Sequence, residues 1–178
     1  MRITGGSNRG RKLRVSKKGI KPTKAIVRSA IFNIIGARVI GARVLDIFSG
    51  SGALGLEAIS RGALKCVFIE KRPSILLKNI EILKVKEKVR VSKADFQTGM
   101  RRLRPKKFDL IFMDPPYGKG YPVKVLRLIE RYSLLKKDGI VIIEHSLKER
   151  FSLPSGFFCW KERSYGNSSI TMVIKERR

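Results

Sequence analysis

The sequence predicts an α/β fold: a seven-stranded, mostly parallel sheet with helices on both faces and a C-terminal antiparallel hairpin. Three observations carry this expectation. Between residues 43 and 143, five short apolar runs alternate with four helical segments. Such alternation implies βαβ units, a parallel sheet and right-handed crossovers. After Ser155 the alternation stops, and two strand-like runs at 157–164 and 170–174 flank Gly166-Asn167, a hairpin turn signal. A glycine-rich loop, GSGALG at 50–55, directly follows the first strand and opens a helix.

The first element in chain order is a polar, Gly-rich, basic segment to about Lys21, read as a short hairpin laid on the main domain. Thr23, after Lys21-Pro22, is a candidate N-cap. Behind it Ile26, Val27, Ala30, Ile31 and Ile34 recur at helical spacing, and Gly36 ends the stripe. Strands are expected at 43–48, 65–69, 89–93, 108–113 and 139–143, where β-branched and aromatic residues gather. The intervening helices are expected at 53–60, 74–83, 97–103 and 123–134. No repeat or long linker intervenes, so residues 1–178 form one domain with 1–22 as its basic extension.

Forty Lys and Arg face fourteen Asp and Glu, a net charge of +26 on one small domain. Self-repulsion on that scale calls for a polyanion, and nucleic acid is the usual one, bound in a strongly salt-dependent way. The basic residues crowd 9–21 and 101–107, which favours a binding face. No apolar run approaches the roughly 18–20 residues of a membrane span, and the N-terminus lacks the apolar stretch of a secretory signal. Cys66 and Cys159 lie far apart, without a CxxC pair and with a single histidine, His145. A disulfide scaffold or structural metal is therefore not expected, and both thiols read as buried spectators in a reducing cytoplasm.

Gly50, Gly52 and Gly55 match G-x-G-x-x-G, and Glu70 ends the next strand twenty residues beyond Gly50. These two facts alone suit a dinucleotide site. Asp46, four residues before the first glycine, changes that reading. A carboxylate there repels a pyrophosphate but suits a cationic cofactor such as S-adenosylmethionine, which carries a sulfonium and an ammonium. Asp95 ends the third strand, where an acid can accept a hydrogen bond from an adenine amine. Three of the five aspartates (Asp46, Asp95, Asp114) thus fall at the carboxyl ends of successive strands, where open α/β sheets bind ligands.

Asp114-Pro115-Pro116-Tyr117 follows the hydrophobic run FDLIFM. Two prolines fix φ and remove two amide donors, so the loop is stiff and its carbonyls point outward. A base amine is a poor nucleophile because its lone pair is delocalised into the ring. The Asp114 carboxylate and the Pro115 carbonyl can each accept one of its N–H bonds and aim the lone pair at a sulfonium methyl. Tyr117 offers an aromatic face for the base, and a target inside a helix must first leave its stack.

With these residues in hand, the layout is that of a Rossmann-like class I methyltransferase, and the chain resembles the RsmD family of bacteria nearly end to end. The resemblance runs through MRITGGSNRGRKL at the start, KPTKAIVRSAIFNII at 21–35 and VLDIFSGSGALGLEAISRGA at 44–63. VFIEK, FDLIFMDPPY and SYGNSS extend it. It implies methylation of the exocyclic N2 of a guanine in 16S ribosomal RNA, at the family's guanine 966. It implies a cofactor loop of Asp46, Ser49, Gly50 and Gly52, with Glu70 on ribose and Asp95 on adenine. Asp114, Pro115, Pro116 and Tyr117 would hold the target amine. Thr23 and Arg28 match the family's N-terminal helix motif, expected to close over the cofactor pocket. The implied partner is 16S ribosomal RNA or the small ribosomal subunit, met by a cytoplasmic monomer. The chain departs from the family in Lys21 for arginine, Ser29 for an acid and Ser49 for alanine.

Three rival readings share parts of this pattern. A DNA adenine-N6 methyltransferase has the same loop and DPPY, but 178 residues leave no room for a large target-recognition region. A non-catalytic RNA-binding assembly factor would not need Asp46, Glu70, Asp95 and Asp114 all intact. An NAD-dependent oxidoreductase is disfavoured by Asp46, and His145 reads as a surface or capping residue rather than its acid.

Overall fold

A computed structural model of the chain describes residues 1–15 and 23–176, with the side chains of Thr23 and Lys24 outside the described set. Its strands are β1 (Arg43–Ile47), β2 (Lys65–Ile69), β3 (Val89–Ser92), β4 (Phe108–Met113), β5 (Leu135–Ser146), β6 (Phe157–Tyr165) and β7 (Ser168–Lys175). Its helices are α1 (Thr23–Ile35), α2 (Ala53–Ser60), α3 (Ser74–Leu83), α4 (Phe96–Arg101) and α5 (Tyr121–Arg131). The seven strands form one sheet in the order β3-β2-β1-β4-β5-β7-β6. β1 to β5 run parallel, and β7 inserts antiparallel between β5 and β6.

Alternation along the strands splits the interior in two. Val44, Phe68, Leu110, Phe112 and Ile142 meet α1, α2 and α3 on one face through Ile31, Leu56 and Ile80. Leu45, Ile69, Ile111, Met113 and Ile143 meet α4 and α5 on the other through Met100, Leu126 and Ile129. Each such side chain, fully buried, contributes about 1.5–3 kcal/mol. The order reverses between β1 and β4, so the two crossovers leave a crevice beyond their carboxyl ends.

The first fifteen residues dock on α2 and α3. Arg2 and Lys12 form an antiparallel bridge, and Ile3 and Leu13 are buried. Buried Glu57 accepts hydrogen bonds from the Thr4 N–H (2.9 Å) and hydroxyl (2.7 Å) and pairs with Arg28 (3.2 Å) and Arg61 (2.8 Å). Asn79, also buried, accepts from Arg14 N–H (2.7 Å) and donates to the carbonyls of Arg14 and Ser51.

Several details depart from the sequence expectation. The buried stripe of α1 is Val27, Arg28, Ile31, Phe32 and Ile35, while Ile26 is 61 % exposed. The stripe is turned from the one apolar spacing predicts because it includes a charged residue, Arg28, whose burial the Glu57 carboxylate makes tolerable. β5 begins at Leu135 rather than 139: Leu135 pairs with Phe108, and Lys136 reaches Asp109 (2.8 Å). Pairing thus overrides the turn-like Lys-Lys-Asp-Gly. Cys66 is buried, but Cys159 lies exposed on β6, against the expectation of two buried thiols. His145 is neither a surface nor a capping residue. It is buried, with Nε2 2.9 Å from the Thr171 hydroxyl and its ring edge-on to Phe151.

Candidate active site

Two cavities open at the carboxyl ends of the parallel strands. The larger, about 910 Å³, runs from Glu70, Asp95 and Phe96 to Asp114, Pro115, Pro116 and Tyr117. The smaller, about 270 Å³, is lined by Arg28, Asp46, Ser49, Gly50, Ser51 and Glu70. Phe48, Glu70, Asp114 and Glu144 belong to both walls, so the cavities are neighbours across these residues.

The loop after β1 owes its shape to two residues. Gly52 has φ +80 at the start of α2, and a Cβ there would strike Leu76. Phe48 takes φ 63 without being glycine, a conformation costing about 1–2 kcal/mol. In this turn Phe48 packs at a tilt against Phe96 and Tyr121, each with ring centroids 5.2 Å away. Phe96 and Tyr121 meet edge-on at 5.4 Å, completing an aromatic wall of the larger cavity. No motif marked this wall, because its members come from three separate elements.

Asp46, Glu70, Asp114 and Glu144 share one face. Val44, Phe68, Phe112 and Ile142 point toward α1–α3, and each acid lies two residues further along its strand direction. Asp46 is buried and accepts the Gly55 N–H at 2.9 Å. Burial raises its pKa to about 7 against the Gly55 hydrogen bond, with Asp114 and Glu70 pushing further upward. Glu70 accepts Gly50 N–H (2.8 Å) and Arg72 N–H (2.9 Å), which pins the glycine loop to the tip of β2. Ser49 donates to the Ile69 carbonyl at 3.4 Å.

Asp95 caps α4 by accepting Thr98 N–H at 3.0 Å, and its bonds to Thr98 hold its pKa below the usual carboxylate value. The cap also lines the larger cavity. Tyr117 is 40 % exposed at the cavity mouth, and Gly118 N–H reaches Glu149 at 3.3 Å to anchor the loop beyond it. Arg28 lines the smaller cavity while held by Glu57 and by the Arg2 carbonyl (2.6 Å). The Thr23 side chain, with Lys21 and Pro22, lies outside the described residues. His145 faces a separate cavity with Glu162 and Cys159 and is not brought to this site.

The smaller cavity is lined by four carboxylates (Asp46, Glu70, Asp114, Glu144) and two arginines (Arg28, Arg72), an excess of acids that favours a molecule with two cationic centres and one carboxylate over a pyrophosphate. S-adenosylmethionine fits that donor set. An antiparallel seventh strand inserted into a doubly wound sheet, with this crevice at its β1/β4 switch point, defines a class I methyltransferase.

The family model described as "Conserved hypothetical protein 95" matches residues 1–174. YlbH of Bacillus subtilis is 36 % identical over 98 % of this chain and 99 % of its own. Ribosomal RNA small subunit methyltransferase D of Escherichia coli is 30 % identical over 99 % and 90 %. The solved structure of the Escherichia coli protein yhhF superposes with a TM-score of 0.87 at 31 % identity, over 100 % of this chain and 99 % of that one. The chain belongs to this family, the RsmD family of S-adenosylmethionine-dependent methyltransferases.

Proposed function

We propose that the protein methylates the exocyclic N2 of a guanine in small-subunit ribosomal RNA, at the position corresponding to the family's guanine 966. The observation that carries this reading is Asp114-Pro115-Pro116-Tyr117 at the tip of β4, lining the larger cavity with Asp114 on the wall common to both. The name of the Escherichia coli relative supports ribosomal RNA as the substrate class. So does the net charge of +26, with Lys71 and Lys124 lining the larger cavity to meet phosphates.

Bound S-adenosylmethionine supplies an electrophilic methyl group on a sulfonium. Asp46 lines the smaller cavity, and Glu70 would accept from ribose hydroxyls while Asp95 would accept from the adenine amine. Ser49, Gly50 and Gly52 bring the loop backbone close. Arg28 lines the same cavity as Asp46 and Glu70, and Thr23 opens the helix that carries it. Asp114 and the Pro115 carbonyl take the two N–H bonds of the target amine, which localises its lone pair. Pro116 keeps that carbonyl fixed, and Tyr117 stacks on the base for about 1–3 kcal/mol. Prepositioning of this kind removes up to about 7–11 kcal/mol of barrier in the best intramolecular cases. The Asp114 carboxylate would offset charge developing on the amine nitrogen as the N–C bond forms and the S–C bond of the sulfonium breaks, the methylated amine then losing one proton to solvent.

The test is transfer of labelled methyl from S-adenosylmethionine to unmodified small-subunit RNA, reconstituted subunits and duplex DNA, followed by nucleoside analysis. Label in N2-methylguanosine is expected. Label in N6-methyladenine from DNA, or none at all with the cofactor bound, overturns the reading.

A further inference from the structure

Glu144 belongs to no motif, yet it is 5 % exposed and lines both cavities. Met113 pairs with Ile143 across parallel β4 and β5, so Asp114 and Glu144 follow as neighbours on strands about 4.8 Å apart. Alternation turns both toward the face of Phe112 and Ile142. The wall beside Pro115 and Tyr117 therefore carries two adjacent carboxylates, both acceptors when ionised.

We propose that Glu144 is a specificity-determining residue that selects guanine by accepting its N1–H while Asp114 accepts from the adjacent N2 amine. This rests on the guanine-N2 reading above. Guanine presents N1–H and the N2 amine side by side, a row of donors complementary to two acceptors. Adenine places beside its amine a bare N1 lone pair, so the Glu144 carboxylate faces another acceptor there instead of a donor. Acceptor facing acceptor forfeits a charge-assisted hydrogen bond and adds repulsion, so the discrimination falls on the wrong base.

The test uses the full-length enzyme and the RNA nucleotide it methylates, mapped first with the wild type. That nucleotide is then replaced by 2-aminopurine, which keeps the amine but carries a lone pair at N1 and lacks O6. Wild-type kcat/KM is expected to favour guanine by at least about a hundredfold. In Glu144→Gln the amide can donate to a bare N1 or accept from N1–H. Its preference is expected to shrink at least about tenfold, through loss on guanine and gain on 2-aminopurine. Glu144→Asp keeps the charge one methylene short, and is expected to lose rate on guanine without gaining on 2-aminopurine. A wild type that accepts both bases equally, or a Gln variant that slows both alike with the ratio intact, overturns the role of Glu144. A wild type that labels adenine instead of guanine overturns the guanine reading itself, before any variant is compared.

Discussion

Replacing Asp46 by asparagine tests the electrostatics of the crevice directly. The carboxyl is buried, its pKa stands near 7 against 3.8 for an ordinary aspartate, and Asn can still accept the Gly55 N–H. The folded protein holds this proton more tightly than the unfolded chain does. The stability it contributes is therefore full below about pH 4 and is lost as pH rises through 7. Relative to low pH, the raised pKa of Asp46 lowers stability by about 4 kcal/mol at pH 8 and under 2 at pH 5. Without cofactor, Asp46→Asn is thus expected to gain about 2–3 kcal/mol relative to wild type between pH 5 and pH 8. For a chain of this length that is a relative rise in Tm of about 5–10 °C, read by thermal melts of both proteins at both pH values. Saturating S-adenosylmethionine should reverse the order at pH 8, because only the wild type offers the buried Asp46 charge to the cationic cofactor. Parallel melting curves across that pH range, or equal cofactor stabilisation of both proteins, would refute the account of Asp46.

Asp114→Ala should leave cofactor affinity in calorimetry close to wild type while lowering methyl transfer by about 10²–10³-fold, and unchanged turnover would remove Asp114 from the mechanism. Glu57→Ala leaves the buried Arg28 guanidinium without its carboxylate and releases Thr4, so a loss of about 3–5 kcal/mol is expected. Limited proteolysis should then cut within residues 1–15, and a wild-type pattern would show that Glu57 does not anchor that segment. His145→Ala forfeits the bond to Thr171 at a cost of about 1–3 kcal/mol yet should keep most methyl transfer, since it faces a different cavity. Near-total loss of activity in a folded variant would put His145 back among the functional residues.

Much of the architecture was legible along the chain. The apolar runs of β1, β2 and β4 are short and flanked by polar or glycine residues, so their bounds were set locally to within a residue. The hairpin of β6 and β7 was marked by Gly166-Asn167, where Gly166 takes φ 57. Asp46, Glu70, Asp95 and Asp114 were visible because each stands at the end of a run that only a strand explains. The length of β5 was not legible, since Lys136, Lys137 and Asp138 carry no strand signal until Phe108 and Asp109 are alongside.

The sequence by itself determined the sheet-forming periodicity, the glycine loop, the acids at the strand tips and the DPPY turn, because these are local consequences of side-chain spacing and backbone freedom. Only the tertiary structure decided which residues share a wall. Phe48, Phe96 and Tyr121 meet from three elements, and Arg28 becomes a core residue because Glu57 on another helix neutralises it. Glu144 joins Asp114 because register between β4 and β5 puts them side by side, although thirty residues of chain separate them. Contacts of that kind depend on strand order and pairing, and no one-dimensional pattern encodes them.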